Sequence, residues 1–315
     1  MGFVTKHKIA STKTVVFLLV LGICVLGGLT VYGQELEPRS LTNTPVGTNF
    51  LALGYGFAAG NILFDPALPL KDVNANTHAL AAAYVRSINF FGMGAKFNLT
   101  APFAAGDWEG VYTGIDTATS RTGMADLRFG FSFNFIGAPA IEASEFKDFE
   151  QKTIVGGSFQ VVAPTGQYFA DRLINLGSNR WAFRPQVGVS HKYQSWYFEA
   201  FGNVWLYTTN RSFWNGNKLE QNAIATVKAH IIKSFNNGIW LAVGCGYAGG
   251  GRSYVNDVQR DATISTIRTG AIAVLPINKK HSIKFSAIVA KRIKEGADFD
   301  AFGIAYQYVF YNKLR

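Results

Sequence analysis

The sequence predicts an all-β protein: a transmembrane antiparallel up-and-down β-barrel of about 12 strands, preceded by a signal peptide. Three observations predict it. About twelve stretches alternate apolar and small or polar residues, and a period of two means extended backbone, because successive side chains leave a strand on opposite faces. The composition is 48% apolar and 14% aromatic but only 16% charged, against about 25% charged for soluble domains. Beyond residue 33, no uninterrupted apolar run approaches the roughly 18 residues of a spanning helix. A closed barrel is the other structure that satisfies every backbone polar group inside a bilayer.

The chain opens on Lys6, His7, Lys8 and Lys13, followed by an apolar run over residues 14–29. This reads as a secretory signal peptide over residues 1–33, cleaved at Gly33–Gln34, with an uncleaved anchor as the alternative. Leu21-Gly22-Ile23-Cys24 faintly resembles a lipoprotein cleavage site, but bulky Ile23 before the cysteine argues against lipidation. Removing the leader leaves 27 basic against 20 acidic residues, a net charge of +7, and a single cysteine, Cys245. An exported chain with no internal disulfide points to a bacterial envelope, not to a cysteine-stapled secreted domain. The positive charge is not gathered with aromatics on a compact motif, so no nucleic-acid partner is expected.

Residues 34–47 form a short N-terminal segment, too short for a plug domain, and residues 48–315 form the barrel. Residues 49–57 put Leu51, Leu53, Tyr55 and Phe57 on one face, with Ala52, Gly54 and Gly56 behind. Residues 78–88 are less regular, with Ala79, Ala81, Ala83 and Val85 opposite His78, Tyr84 and Arg86. Strands follow over residues 95–103 and over 127–135, where Leu127, Phe129, Phe131, Phe133 and Phe135 oppose Arg128, Gly130, Ser132 and Asn134. Further strands are expected over residues 153–163, 181–193, 196–207, 223–235, 239–247, 264–275 and 283–292. Residues 302–310 close the series, with Ile304, Tyr306, Tyr308 and Phe310 on one face.

Short connections (89–94, 194–195, 236–238, 276–280) alternate with long ones (60–77, 104–122, 164–180, 208–222, 248–263, 293–299). Outer-membrane barrels have this signature, short periplasmic turns and longer outside loops. One lower connection is irregular. Residues 137–150 carry Ile141, Phe146 and Phe149 among charges and are expected to form a short helix closing the lower mouth, with a plain polar turn as the alternative.

A charge facing lipid at mid-membrane costs roughly 2–4 kcal/mol, so charged residues within strands must face the lumen or lie near an interface. That assigns Lys96, Arg128, Arg184, Lys192, Glu199, Lys228, His230, Arg268, Lys284 and Arg292 to the lumen. Their predominantly positive charge would favour anionic or electron-rich solutes; a salt-bridged filling without solute specificity is the alternative. Trp181, Trp196, Trp205, Trp240 and Tyr193 lie near strand ends and suit an interfacial girdle. Trp108 and Trp214 fall in long loops, where contact with a ligand is easier.

No catalytic residue is assigned. A lipid-modifying barrel needs a serine beside a histidine on its wall, and His78, His191, His230 and His281 lack a recognisable nucleophile nearby. Ser190 and His191 are adjacent, but alternation puts them on opposite faces. No His, Cys or carboxylate cluster has metal-ligand spacing, and no cofactor is expected.

Several stretches resemble a known family. They are residues 38–60, opening Pro-Arg-Ser-Leu-Thr-Asn-Thr-Pro-Val-Gly-Thr-Asn-Phe; residues 153–168, ending Val-Val-Ala-Pro-Thr-Gly-Gln-Tyr; and residues 174–190 with Asn-Leu-Gly-Ser-Asn-Arg-Trp. Gly249-Gly250-Gly251-Arg252 and Ala305-Tyr306-Gln307-Tyr308 agree with it. Across nearly the whole mature chain the sequence resembles the outer-membrane transporter family associated with the meta-pathway of phenol degradation. The resemblance implies a barrel found alongside aromatic-degradation genes that passes substrate inward. It also directs attention to residues 164–180, expected either to gate the pore through Gln167, Tyr168, Asn179 and Arg180 or to pack on itself.

The expected protein is an integral channel of a Gram-negative outer membrane for small organic solutes, aromatic or hydrophobic ones included. Its expected partners are the lipid bilayer, the solute and the barrel assembly machinery. A lipid-modifying barrel enzyme and a plugged structural or adhesive barrel are the competing readings.

Overall fold

A computed structural model of the chain describes residues 36–62, 67–260, 263–294 and 296–312. The leader assigned to residues 1–33, with its cleavage at Gly33–Gln34, lies outside them. Among the described residues the strands are β1 (Thr48–Asn61), β2 (Leu70–Phe90), β3 (Met93–Tyr112), β4 (Ile115–Met124), β5 (Arg128–Ile136), β6 (Thr153–Val162), β7 (Ala182–Tyr193), β8 (Trp196–Tyr207), β9 (Asn210–Phe213), β10 (Asn217–Gln221), β11 (Ile224–Ser234), β12 (Trp240–Gly250), β13 (Ser253–Val255), β14 (Val258–Gln259), β15 (Ile264–Pro276), β16 (His281–Arg292) and β17 (Asp298–Tyr311).

Twelve of them close a barrel. The antiparallel ladder runs β1-β2-β3-β5-β6-β7-β8-β11-β12-β15-β16-β17, and β17 returns to β1 from Thr48↔Tyr311 to Asn61↔Asp298. Each of the twelve expected strands is present. Closure matters because an open edge would leave unpaired backbone groups in lipid. The end that carries the short turns and residues Gly47 and Asn312 is the periplasmic one.

The cross-strand register separates the two faces. Phe97, Phe131 and Phe159 lie in one row across β3, β5 and β6, on the lipid side. One residue back on β3, Lys96 aligns with Ser132 and Ser158, on the lumen side. On β2 it is the alanine face that turns inward. His78 faces outward, its Nδ1 2.8 Å from the Tyr55 hydroxyl, while Tyr84 and Arg86 reach Asn49 at the periplasmic rim.

Three expected loops are sheet in large part. Residues 104–122 extend β3 and fold back as β4, through a two-residue turn with φ of 50° at Thr113 and 83° at Gly114. Glycine suits the second position because it adopts positive φ without a Cβ clash. The loops after β8 and β12 form a small second sheet, ordered β9-β10-β13-β14. The expected helix at 137–150 is absent among the described residues. In its place is a single 3₁₀ turn, Phe146–Asp148, with no buried residue, since three apolar residues among so many charges give it no face to bury.

Residues 36–47 enter the lumen instead of trailing below it. A short segment needs no domain of its own to occupy a barrel, because the wall supplies its hydrogen-bond partners.

Candidate solute pathway

The periplasmic half of the lumen is filled by this N-terminal segment. Lys96 Nζ donates to the carbonyl oxygens of Ser40 and Thr42, at 3.2 and 2.6 Å. Lys284 holds Glu37 at 2.9 Å. The Arg39 amide donates to Glu199 Oε2 at 2.8 Å, and its guanidinium lies 4.9 Å from the Tyr197 ring centre and 5.6 Å from that of Trp240. Asn134 on β5 donates to the Leu41 carbonyl, and Asn43 donates to that of Pro139. At the upper end Leu36 sits against Gly246 and Gly270, where a Cβ would meet its methyl groups at 3.4 and 3.3 Å.

Beside the segment, Glu199 Oε1 accepts a hydrogen bond from Ser190 at 3.1 Å, and its other oxygen is 3.6 Å from His230 Nδ1. The carboxylate lies between serine and histidine, so Ser190 and His230 do not form the serine–base contact of a nucleophilic site.

The extracellular mouth is covered by loops. Ile174 and Leu176 from residues 164–180 pack with Leu68, Trp108, Phe213, Leu219 and Val255 in one buried apolar cluster. Trp108 donates its indole N–H to the Ile62 carbonyl at 3.0 Å, and Trp214 meets Tyr112 edge-on. The Asp126 carboxylate clamps the loop by accepting from the amides of Gly166 and Ser178 and from the Ser178 hydroxyl. Arg121 donates to the Ile174 carbonyl at 2.7 Å. Burial lowers the Arg121 pKa, with Arg172 nearby adding to the effect, yet an arginine stays charged.

A cavity of about 470 Å³ lies in the extracellular half, lined among others by Trp205, Tyr207, Thr226, Thr266, Arg268 and Arg292. A larger apolar groove of about 850 Å³, lined by Val187, Val189, Val227 and Cys245, lies on the outer wall and faces lipid.

The ten residues assigned to the lumen therefore divide. Lys96, Glu199, Lys284 and His230 surround the N-terminal segment. Arg268 and Arg292 line the cavity. Arg184 and Lys228 are buried against the Trp205 and Phe201 rings, at 4.8 and 5.0 Å. Arg128 stands at the top of β5, and Lys192 near the bottom of β7. Gln167, Tyr168, Asn179 and Arg180 all sit in the loop cap, bonded to Thr122, Ser212, Asn210 and Gln221 respectively.

Trp205 and Trp240 do not belong to the outer girdle; both face inward, on the cavity and beneath Arg39. Trp181, Trp196 and Tyr193 are exposed on the outer wall. The signal for Trp205 was its place two residues from Asn203 on an alternating strand. Thr226 and Thr266 gave no signal, since a threonine in a strand is ordinary.

A closed twelve-stranded antiparallel barrel with an apolar outer face and a polar, occluded lumen defines an integral β-barrel of the outer membrane. The chain belongs to the family described as "Putative MetA-pathway of phenol degradation", whose model matches residues 54–289. Among solved structures it is similar to the COG4313 outer membrane channel from Pseudomonas putida F1, at 18% identity and a TM-score of 0.71, covering 87% of this chain and 99% of that one. Weaker likenesses include the β domain of the Bordetella autotransporter BrkA (TM-score 0.49, 9% identity, 84% and 100% covered) and the CymD monoaromatic hydrocarbon channel (0.44, 8%, 90% and 94%). No curated protein sequence matches the chain.

Proposed function

We propose that the protein is a gated diffusion channel, not an enzyme, that admits small organic solutes to the periplasm through a lumen lined by cations and aromatic rings. The cavity in the extracellular half of the barrel carries this reading, because Arg268, Arg292, Trp205 and Tyr207 line it together. A solute would pass the cap, dwell in the cavity and leave past the segment. The segment is fixed mainly by polar and charged contacts, which can exchange with water more readily than a packed apolar plug. On this reading Gln167, Tyr168, Asn179 and Arg180 hold the outer cap shut, while Lys96, Glu199 and Lys284 hold the inner closure. Arg128, Arg184, Lys192 and Lys228 contribute to the positive field of the lumen, and His230 lies beside Glu199 at the inner closure. The barrel assembly machinery would insert the chain.

Closure at both ends also suits a permanently plugged structural barrel. Liposome swelling with the full chain and with a variant lacking residues 36–43 separates the two. Faster entry of small solutes into vesicles holding the shortened variant supports the channel. A correctly folded variant as impermeable as empty liposomes would refute it.

A further inference from the structure

We propose that the cavity is a binding site for small aromatic carboxylates. The ring would rest against Trp205 and Tyr207, and the carboxylate would be held by Arg292, Arg268 and the Thr266 hydroxyl. This rests on the channel reading and names the class of solute.

The wall of the cavity is built by register. Thr226, Ala248, Thr266 and Arg292 occupy one row across β11, β12, β15 and β16. Adjacent strands lie about 4.8 Å apart, so the two threonines are roughly 10 Å from one another, with only an alanine methyl between them. Thr226 is 6% exposed and Thr266 2%, and both line the cavity. Neither hydroxyl has a hydrogen-bond partner among the described residues. Buried hydroxyls are normally satisfied, so each is suited to a bound polar group, Thr266 beside Arg292 and Thr226 toward the far end of a ring.

Charge chooses the sign of that group. Lys71, Arg268 and Arg292 line the cavity against the one carboxylate of Asp72. Arginine offers a planar fork of donors that matches a carboxylate. The aromatic wall chooses the rest of the molecule. The Trp205 and Tyr207 rings are parallel to within 9°. Arg184 lies 4.8 Å from the Trp205 ring centre and Arg180 4.6 Å from that of Tyr207. Neither of these arginines lines the cavity, whereas both rings do, and an offset contact with an aromatic solute is the favoured one for such rings. A volume of about 470 Å³ lies within the usual range for small-molecule sites.

The test is calorimetric titration of the full chain in detergent micelles with benzoate, benzyl alcohol and acetate. Benzoate is expected to bind at least tenfold more tightly than either, since only it presents both ring and charge. Arg292→Gln and Thr266→Val are each expected to weaken benzoate about tenfold and to leave benzyl alcohol unchanged. Thr266→Val is nearly isosteric, and heat-modifiable gel migration checks that both variants fold. Benzoate binding no tighter than benzyl alcohol, or benzoate binding unaltered in both variants, would overturn the site. Swelling with small neutral solutes reports on the channel separately. Flux without benzoate preference removes the site and keeps the channel; benzoate binding without any flux keeps the site and removes the channel.

Discussion

Phe131 and Lys96 lie in adjacent register rows, and the barrel turns on that single step. Phe131 pairs with Phe97 and Phe159 toward lipid, while Lys96 pairs with Ser132 toward the lumen. Phe131→Lys puts a charge in the bilayer at a cost of about 2–4 kcal/mol and is expected to abolish the folded, heat-modifiable species. Arg128→Ala should assemble normally; the opposite pair of results would show the faces to be reversed. Lys96→Met removes two charge-assisted hydrogen bonds to the N-terminal segment, each worth about 1.5–3 kcal/mol. The expected result is faster trypsin cleavage after Arg39 and a larger single-channel conductance, with the barrel intact. Alternation made the direction of Lys96 legible. Its partners were not, because the carbonyls it meets belong to a segment with no period.

The β3–β4 hairpin shows where element-level reading stops. Residues 104–122 look like an outer loop because Ala, Gly and Thr dilute their alternation. Yet the Thr113-Gly114 turn joins two paired runs, and Trp108 points inward from one of them. Trp108 is buried in the cap, and a buried Trp→Ala change costs about 3–5 kcal/mol. Because the cap lies outside the membrane-spanning ladder, Trp108→Ala is expected to make the outer loops sensitive to protease while the folded barrel band persists. Residues 137–150 erred the other way: apolar residues at loose spacing suggested a helix, whereas the chain there pairs its backbone with Gly94 and Val46 and makes a single 3₁₀ turn.

At the scale of the whole molecule, the barrel was legible in full and its contents were not. Twelve strands follow from a local period, and closure follows from the bilayer's intolerance of unpaired backbone. The two closures depend instead on which side chains meet across the lumen, as Arg39 meets Glu199 and Trp240. The basic lining proposed for the pathway also has a collective consequence. Its field is screened by salt, with a Debye length falling from about 10 Å at 0.1 M to about 3 Å at 1 M. Reversal potentials across planar bilayers holding the variant without residues 36–43 are expected to show anion preference that shrinks over this range. A preference for cations, or one independent of salt, would contradict a basic pathway.

Glu37 and Lys284 are 247 positions apart along the chain, yet they meet at 2.9 Å. So distant a contact carries a large loop-closure cost and reports on the completed ring of strands, not on any local hairpin. The Glu37–Lys284 pair is thus a clock for biogenesis. Cysteines placed at the two positions, with Cys245 replaced by serine, would be joined by a short bis-maleimide cross-linker only once the last strands have come round, and the time of joining would date the moment the cylinder shuts on its own beginning.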